Sequence, residues 1–204
     1  KYWTTFTRAD SYMEECKDLT DAPVARGVVS ALHSREFLTW LSQVCDVKHL
    51  LPDPYLTGAG YMKSFKGDSL KIHSDFNWNE ECQTHRALSL ILYFTPDWDE
   101  AWHGDLQFWD FEKTKKIVSY PPKMGNVVVW KYHKRGFHGH PNPITCPDDR
   151  FRVGFRTFYY IADSKHDWRD PPHKSLYWYD KDKNQPYHLE NEYGHGKLED
   201  DGEK

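Results

Sequence analysis

Five stretches between residues 69 and 161 carry apolar and aromatic residues at strand-like spacing, and turn signals separate them. SLKIH at 69–73 alternates polar and apolar, whereas RALSLILYF at 86–94 is apolar enough for burial on both faces. DLQFW at 105–109, NVVVW at 126–130 and RFRVGFRTFYYI at 150–161 follow. Between them stand Thr-Pro-Asp at 95–97, Pro-Pro at 121–122 and Pro-Asn-Pro at 141–143. Upstream, LLPDPYLTGAGY at 50–61 reads as loop and turn leading into the sheet. Before it, residues 30–45 predict a helix, with Ser30 as cap and Leu32, Phe37, Leu38, Leu41 and Val44 at helical spacing. Short strands after an N-terminal helical segment predict a sandwich or a barrel-like jelly roll. The 9 Trp and 13 Tyr suit such a fold, because flat rings pack well on pleated surfaces.

A length of 204 residues favours one domain with a sizeable core. That domain is expected to span residues 1–165. Residues 166–204 read as a C-terminal extension, with about the last fifteen positions disordered by composition. A net charge of −4 sets up no field that draws the chain to nucleic acid or acidic lipid. The dense basic run of Lys113, Lys115 and Lys116 reads as a solvated hairpin. No apolar run reaches the roughly eighteen residues of a membrane span, and residues 1–10 lack the apolar stretch of a signal peptide. Cys16, Cys45, Cys82 and Cys146 are far apart in sequence, so neither a disulfide framework nor a zinc site is expected, and a cytoplasmic location is.

The triplet His73-Ser-Asp75 carries the chemistry. On a strand, residues i and i+2 face the same side, so an imidazole and a carboxylate stand together. That is two-thirds of the two-histidine, one-carboxylate triad of non-haem iron(II) sites. A third ligand must come from a distant strand, and either His138 or His140, directly after the 126–130 strand, could supply it. Arg152 opens the last strand of the series. Arg152, Gly154, Arg156, Phe158 and Tyr160 share one face of that strand. Arginines on an apolar strand need an anionic partner, and a bound dicarboxylate would meet that need.

At this point the chain resembles the prolyl-4-hydroxylase-like branch of the 2-oxoglutarate/iron(II) oxygenases, and in particular its bacterial and viral proline-hydroxylase-like members. The similar segments run from about residue 34 to 161: LLPDPYLTGAGY, LKIHSDFNWNEE, HRALSLILYFTPDWDEAWHGDLQFWD, FHGHPNPITCP and RVGFRTFYY. The resemblance implies a mainly β chain with flanking N-terminal helices and a double-stranded β-helix (jelly-roll) core. It implies His73, Asp75 and His138 as iron ligands, with the first histidine of HGHP preferred to His140. Arg152, rather than Arg150, would pair with the distal carboxylate of 2-oxoglutarate, since RVGFRTFYY then matches without a gap. Tyr93 and Tyr61 would be further co-substrate contacts.

Iron(II), 2-oxoglutarate and O2 are the implied cofactors, with ascorbate as a reductant. The reaction implied is hydroxylation of a prolyl C–H in a peptide or protein, with release of succinate and CO2. Because Asp75 is present, hydroxylation is favoured over halogenation. Asn77, Trp78, Trp130 and Arg156 are the candidate substrate contacts. Arg156 either meets an anionic substrate group or ion-pairs with a core carboxylate. Arg86 reads as a structural ion pair, and His140 as a packing or hydrogen-bonding residue. The same chemistry on a small molecule or sugar is the alternative substrate class, and a non-catalytic jelly-roll binding module is the alternative of another class. A monomer or homodimer is expected.

Overall fold

The computed structural model describes residues 3–8, 11–162, 172–178 and 186–187. It opens on a hairpin of β1 (Thr4–Arg8) and β2 (Ser11–Cys16). Two helices follow, α1 (Pro23–Leu32) and α2 (Arg35–Cys45). Next come β3 (Leu51–Pro52), β4 (Gly60–Ser64), β5 (Leu70–Ser74), β6 (Trp78–Asn79) and the long β7 (Thr84–Tyr93). The series continues with β8 (Leu106–Trp109), β9 (Lys116–Tyr120), β10 (Val127–Lys131), β11 (His138–His140) and the long β12 (Arg152–Ile161). Two short strands, β13 (Leu176–Trp178) and β14 (Pro186–Tyr187), return late in the chain.

These strands form two antiparallel sheets. One runs β1-β2-β4-β12-β7-β10, with β3 added on β12 and β6 on β7; the other runs β14-β13-β5-β11-β8-β9. Neighbours such as β4 with β12 and β5 with β11 are far apart in sequence, the crossing pattern of a jelly roll. The chain is therefore mainly β with a jelly-roll core. Lys113, Lys115 and Lys116 fall at the β8–β9 hairpin, where Lys113 takes a positive φ of 58°. Among the described residues no helix is long and apolar enough to cross a membrane. The expected disorder of the last fifteen residues lies outside the described residues.

The helix predicted over 30–45 is two helices. Pro23 opens α1 in its first turn, so Ser30 lies inside the helix instead of capping one. The chain breaks at His33 and Ser34, and the Ser34 hydroxyl accepts the Phe37 N–H at 3.2 Å to start α2. A capping serine offers the backbone a partner that a continuous helix would not use. Both helices cover the outer face of the larger sheet, where Leu41, Leu88, Phe155 and Tyr159 are fully buried. The Tyr159 hydroxyl donates to the Leu32 carbonyl at 3.1 Å, and His33 Nε2 meets Thr157 Oγ1 at 2.9 Å.

This packing sorts the two faces of β12. Phe155, Thr157 and Tyr159 point to the helices, so by alternation Arg152, Gly154 and Arg156 point between the sheets. A second apolar cluster, including Met13, Met62, Ile91, Leu106 and Tyr177, lies between the sheets. The candidate site sits among these residues.

Candidate metal centre

β5 carries His73 and ends one residue before Asp75, and β11 carries His138. The two strands pair antiparallel with His138 opposite His73. Gly139 makes this approach feasible: a Cβ there would lie 2.7 Å from the Leu70 carbonyl oxygen and 2.8 Å from that of Lys71. The ligand-type atoms of His73, Asp75 and His138 all fall within 4.8 Å of one another. Each histidine Nε2 stands 3.7 Å from Asp75 Oδ1.

The backbone sets the tautomers. His73 Nδ1 meets the Lys71 carbonyl at 2.8 Å, and His138 Nδ1 meets the Gly136 carbonyl at 2.8 Å. A carbonyl can only accept, so both Nδ1 atoms carry a proton and both Nε2 atoms face Asp75. Burial first, and the neighbouring His138 second, press the His73 pKa down to about 3, so the ring is neutral near pH 7. Burial pushes the Asp75 carboxyl up, but the Arg86 guanidinium and the two histidines outweigh it and hold it well below the usual carboxylate range. Two imidazole Nε2 atoms and one carboxylate oxygen thus converge. Together they form a donor set for a divalent cation, and the residues fit iron(II).

The outer oxygen of Asp75 is held separately. Arg86 reaches Oδ2 at 2.8 Å, and the Ser89 hydroxyl donates to the same oxygen at 3.1 Å. The guanidinium is fully buried between the rings of Phe76 and Phe158, whose centroids lie 3.7 and 3.5 Å from its central carbon. Reading Arg86 as an ion pair is right, and its partner is the triad carboxylate itself. Strict alternation would place Arg86 and Ser89 on opposite faces. A register shift between Tyr159 and Tyr160 leaves one extra residue on β7, and the bulge re-aims Arg86 inward. A bulge has no signature in this sequence, so alternation alone could not have found the pair.

Arg152 is 3 % exposed. Its Nε donates to the Gly104 carbonyl at 2.8 Å, and one terminal nitrogen donates to the Tyr93 hydroxyl at 2.9 Å. Gly104 has φ +75°, and a side chain there would press on the Arg152 stem at 3.3 Å. Burial raises the Tyr93 pKa and Arg152 offsets part of the rise, so the phenol stays neutral. His140 is buried on the triad's sheet, and its Nδ1 has no hydrogen-bond partner. Burial, then the charge of Arg152, holds its pKa well below the ordinary range.

The other expected contacts divide. Trp130 sits edge-on to His138 with centroids 5.0 Å apart, beside the triad. Trp78 lines a separate cavity of about 350 Å³ with Phe76 and residues 172–175, and its indole donates to Glu80 at 2.8 Å. Asn77 is buried, and its side-chain oxygen accepts the His173 N–H at 2.8 Å. Arg156 pairs with Glu15 of β2 at 2.6 Å, the core-carboxylate alternative. Tyr61 requires a correction. It stands opposite Phe155 on β4, facing the helices, where its hydroxyl donates to the Ala25 carbonyl at 3.1 Å. Alternation gives the inward face to Met62 instead, so Tyr61 is not brought to the triad.

Comparison with known proteins agrees with this geometry. Residues 59–160 match the family described as the 2OG-Fe(II) oxygenase superfamily. No curated protein matches the chain. Among solved structures, a Trichoplax adhaerens prolyl hydroxylase bound to a hypoxia-inducible-factor peptide superposes with a TM-score of 0.53 at 14% identity. That match covers 78% of this chain and 70% of the other. A Pseudomonas putida prolyl-4-hydroxylase gives 0.55 at 13% identity, covering 78% and 77%. A Phytophthora capsici prolyl 4-hydroxylase gives 0.51 at 18% identity, covering 76% of this chain and 50% of that one. These likenesses establish a shared fold.

Proposed function

This chain belongs to the 2OG-Fe(II) oxygenase superfamily, and from that premise we propose that it hydroxylates a prolyl residue in a peptide or protein. As a member it is a 2-oxoglutarate-dependent dioxygenase that uses Fe(II), 2-oxoglutarate and O2. His73, Asp75 and His138 would hold the iron, and Arg152 with Tyr93 the distal carboxylate of the keto acid. With these groups bound, the chemistry couples decarboxylation of 2-oxoglutarate to succinate with insertion of one oxygen atom into an unactivated C–H bond.

The chain's own residues supply order and charge. The carbonyls of Lys71 and Gly136 hold a proton on each Nδ1 and aim both histidine Nε2 atoms inward. Arg86 and Ser89 fix the rotation of Asp75 through its outer oxygen, leaving Oδ1 for the metal. Arg152, already oriented by Gly104 and Tyr93, offers a permanently charged fork to a carboxylate. Its burial removes competing water, which strengthens that attraction.

One observation carries the choice of substrate class. Arg156, on the inward face of β12, is already neutralised by Glu15, so the interior does not call for an anionic substrate group. That favours an uncharged target such as a peptidyl proline over an acidic small molecule. The Trp130 ring beside His138 offers the aromatic wall that a pyrrolidine ring packs on. The prolyl hydroxylases that share the fold point the same way. The four cysteines are all free thiols, which supports a reducing, cytoplasmic setting.

The test is turnover with iron(II), 2-oxoglutarate and O2 on proline-containing peptides, set beside sugars and free amino acids. Succinate release coupled to gain of one oxygen atom on a proline supports the reading. Coupled oxidation of a sugar or free amino acid, with the peptides inert, would overturn it.

A further inference from the structure

β5 is paired on both edges. On one side β11 brings His138 opposite His73; on the other β13 sets Tyr177 opposite His73 and Leu176 opposite Ser74. The sequence past residue 165, read above as an extension, therefore returns to the strand that carries the candidate ligands. Several hydrogen bonds fasten it there. The His173 N–H donates to Asn77 Oδ1 at 2.8 Å, and the Phe76 N–H donates to the Ser175 hydroxyl at 3.2 Å. His173 Nε2 and the Tyr132 hydroxyl are 2.7 Å apart. Each bond ties residues 173–175 to the barrel, two of them within two residues of Asp75.

Tyr177 stacks on the His73 imidazole, with ring centroids 4.7 Å apart and planes 19° apart. The tyrosine is 4 % exposed. His138, by contrast, packs against Trp130 of β10 and Phe108 of β8, with centroids 5.0 and 5.8 Å away. His73 has only two ring neighbours among the described residues, His138 and Tyr177. The terminal torsion of a histidine side chain is soft, so a ring needs packing as well as one hydrogen bond to keep a single orientation. The Lys71 carbonyl supplies the bond, and Tyr177 supplies the plane.

We propose that β13 is part of the metal centre and that Tyr177 is a positioning residue, holding the His73 ring in the orientation in which its Nε2 ligates. The proposal rests on His73 being a metal ligand. If the strand improves metal binding, reciprocity requires that the metal tightens docking of the strand. The metal site and the C-terminal strand are then one cooperative unit.

The full chain, stripped of metal, is titrated with cobalt(II), whose visible bands report ligand geometry without turnover. Wild type, His73→Ala, Tyr177→Phe and Tyr177→Ala are compared, together with amide exchange over residues 176–178 with and without cobalt. Wild type should bind and His73→Ala should not. Tyr177→Phe keeps the ring and should match wild type in affinity and bands. Tyr177→Ala should bind about tenfold or more weakly, the scale seen when support around a ligand is removed, with altered bands. Cobalt should slow exchange at 176–178 in the wild type. Wild-type affinity and bands in Tyr177→Ala would overturn the proposal. If that variant does not fold, exchange at 176–178 that ignores cobalt in the wild type would overturn it instead. If wild type and His73→Ala behave alike, the ligand assignment itself fails, an outcome separate from the other two.

Discussion

Asp75 divides its labour between two oxygens. Oδ1 faces the two histidines, while Oδ2 is taken by Arg86 and Ser89. Arg86 is fully buried, so Arg86→Met would leave an unpaired carboxylate in the interior. The expected loss is about 3–5 kcal/mol in metal-free denaturant unfolding, and less than about 1 kcal/mol would contradict the role. His73 makes a second prediction at this scale. Its pKa falls from 6.5 to about 3 on folding, so the unfolded chain binds the extra proton between those values. Stability from this group is complete above about pH 6.5 and is lost progressively as pH falls toward 3. Metal-free melting temperature should drop on acidification through that window, and less steeply in His73→Gln. Equal slopes would show that His73 is not the group. The triad was legible because its first two members need only a period of two. The bulge that turns Arg86 inward was not, since it depends on the register of β7 against β12.

At the scale of the element, β11 is three residues long and must bring His138 beside His73. Gly139 permits it, because any Cβ would meet two β5 carbonyl oxygens below 3.0 Å. Gly139→Ala should force the strands apart and cost about 1–3 kcal/mol, the usual penalty of overpacking. It should also weaken cobalt binding; unchanged affinity would show that the close pairing is not what assembles the site. The HGHP motif announced a ligand histidine but not why a glycine follows it. Tyr61 shows the converse limit: resemblance identified a tyrosine in a matching segment, while pairing with β12 decided which way it points. The split between α1 and α2 was hidden for a similar reason, because apolar spacing runs on across the Ser34 cap.

The whole molecule builds its interior from distant parts of the chain. β2 contributes Glu15 to Arg156, the central strands contribute the triad and Arg152, and β13 contributes Tyr177 to His73. The jelly-roll class followed from alternating strands and turns, all short-range signals. The closure by β13 did not, since three residues carry no statement of which edge they join. The central claim is that one interior holds a metal triad and a carboxylate-binding arginine as a single site. The most direct test is anaerobic 2-oxoglutarate binding with and without iron(II), in wild type, His73→Ala and Arg152→Ala. Binding by the wild type only when metal is present, and lost in each variant, is the predicted result. No binding by the wild type, or equal binding by all three proteins, would contradict the claim and favour a non-catalytic module on the same fold.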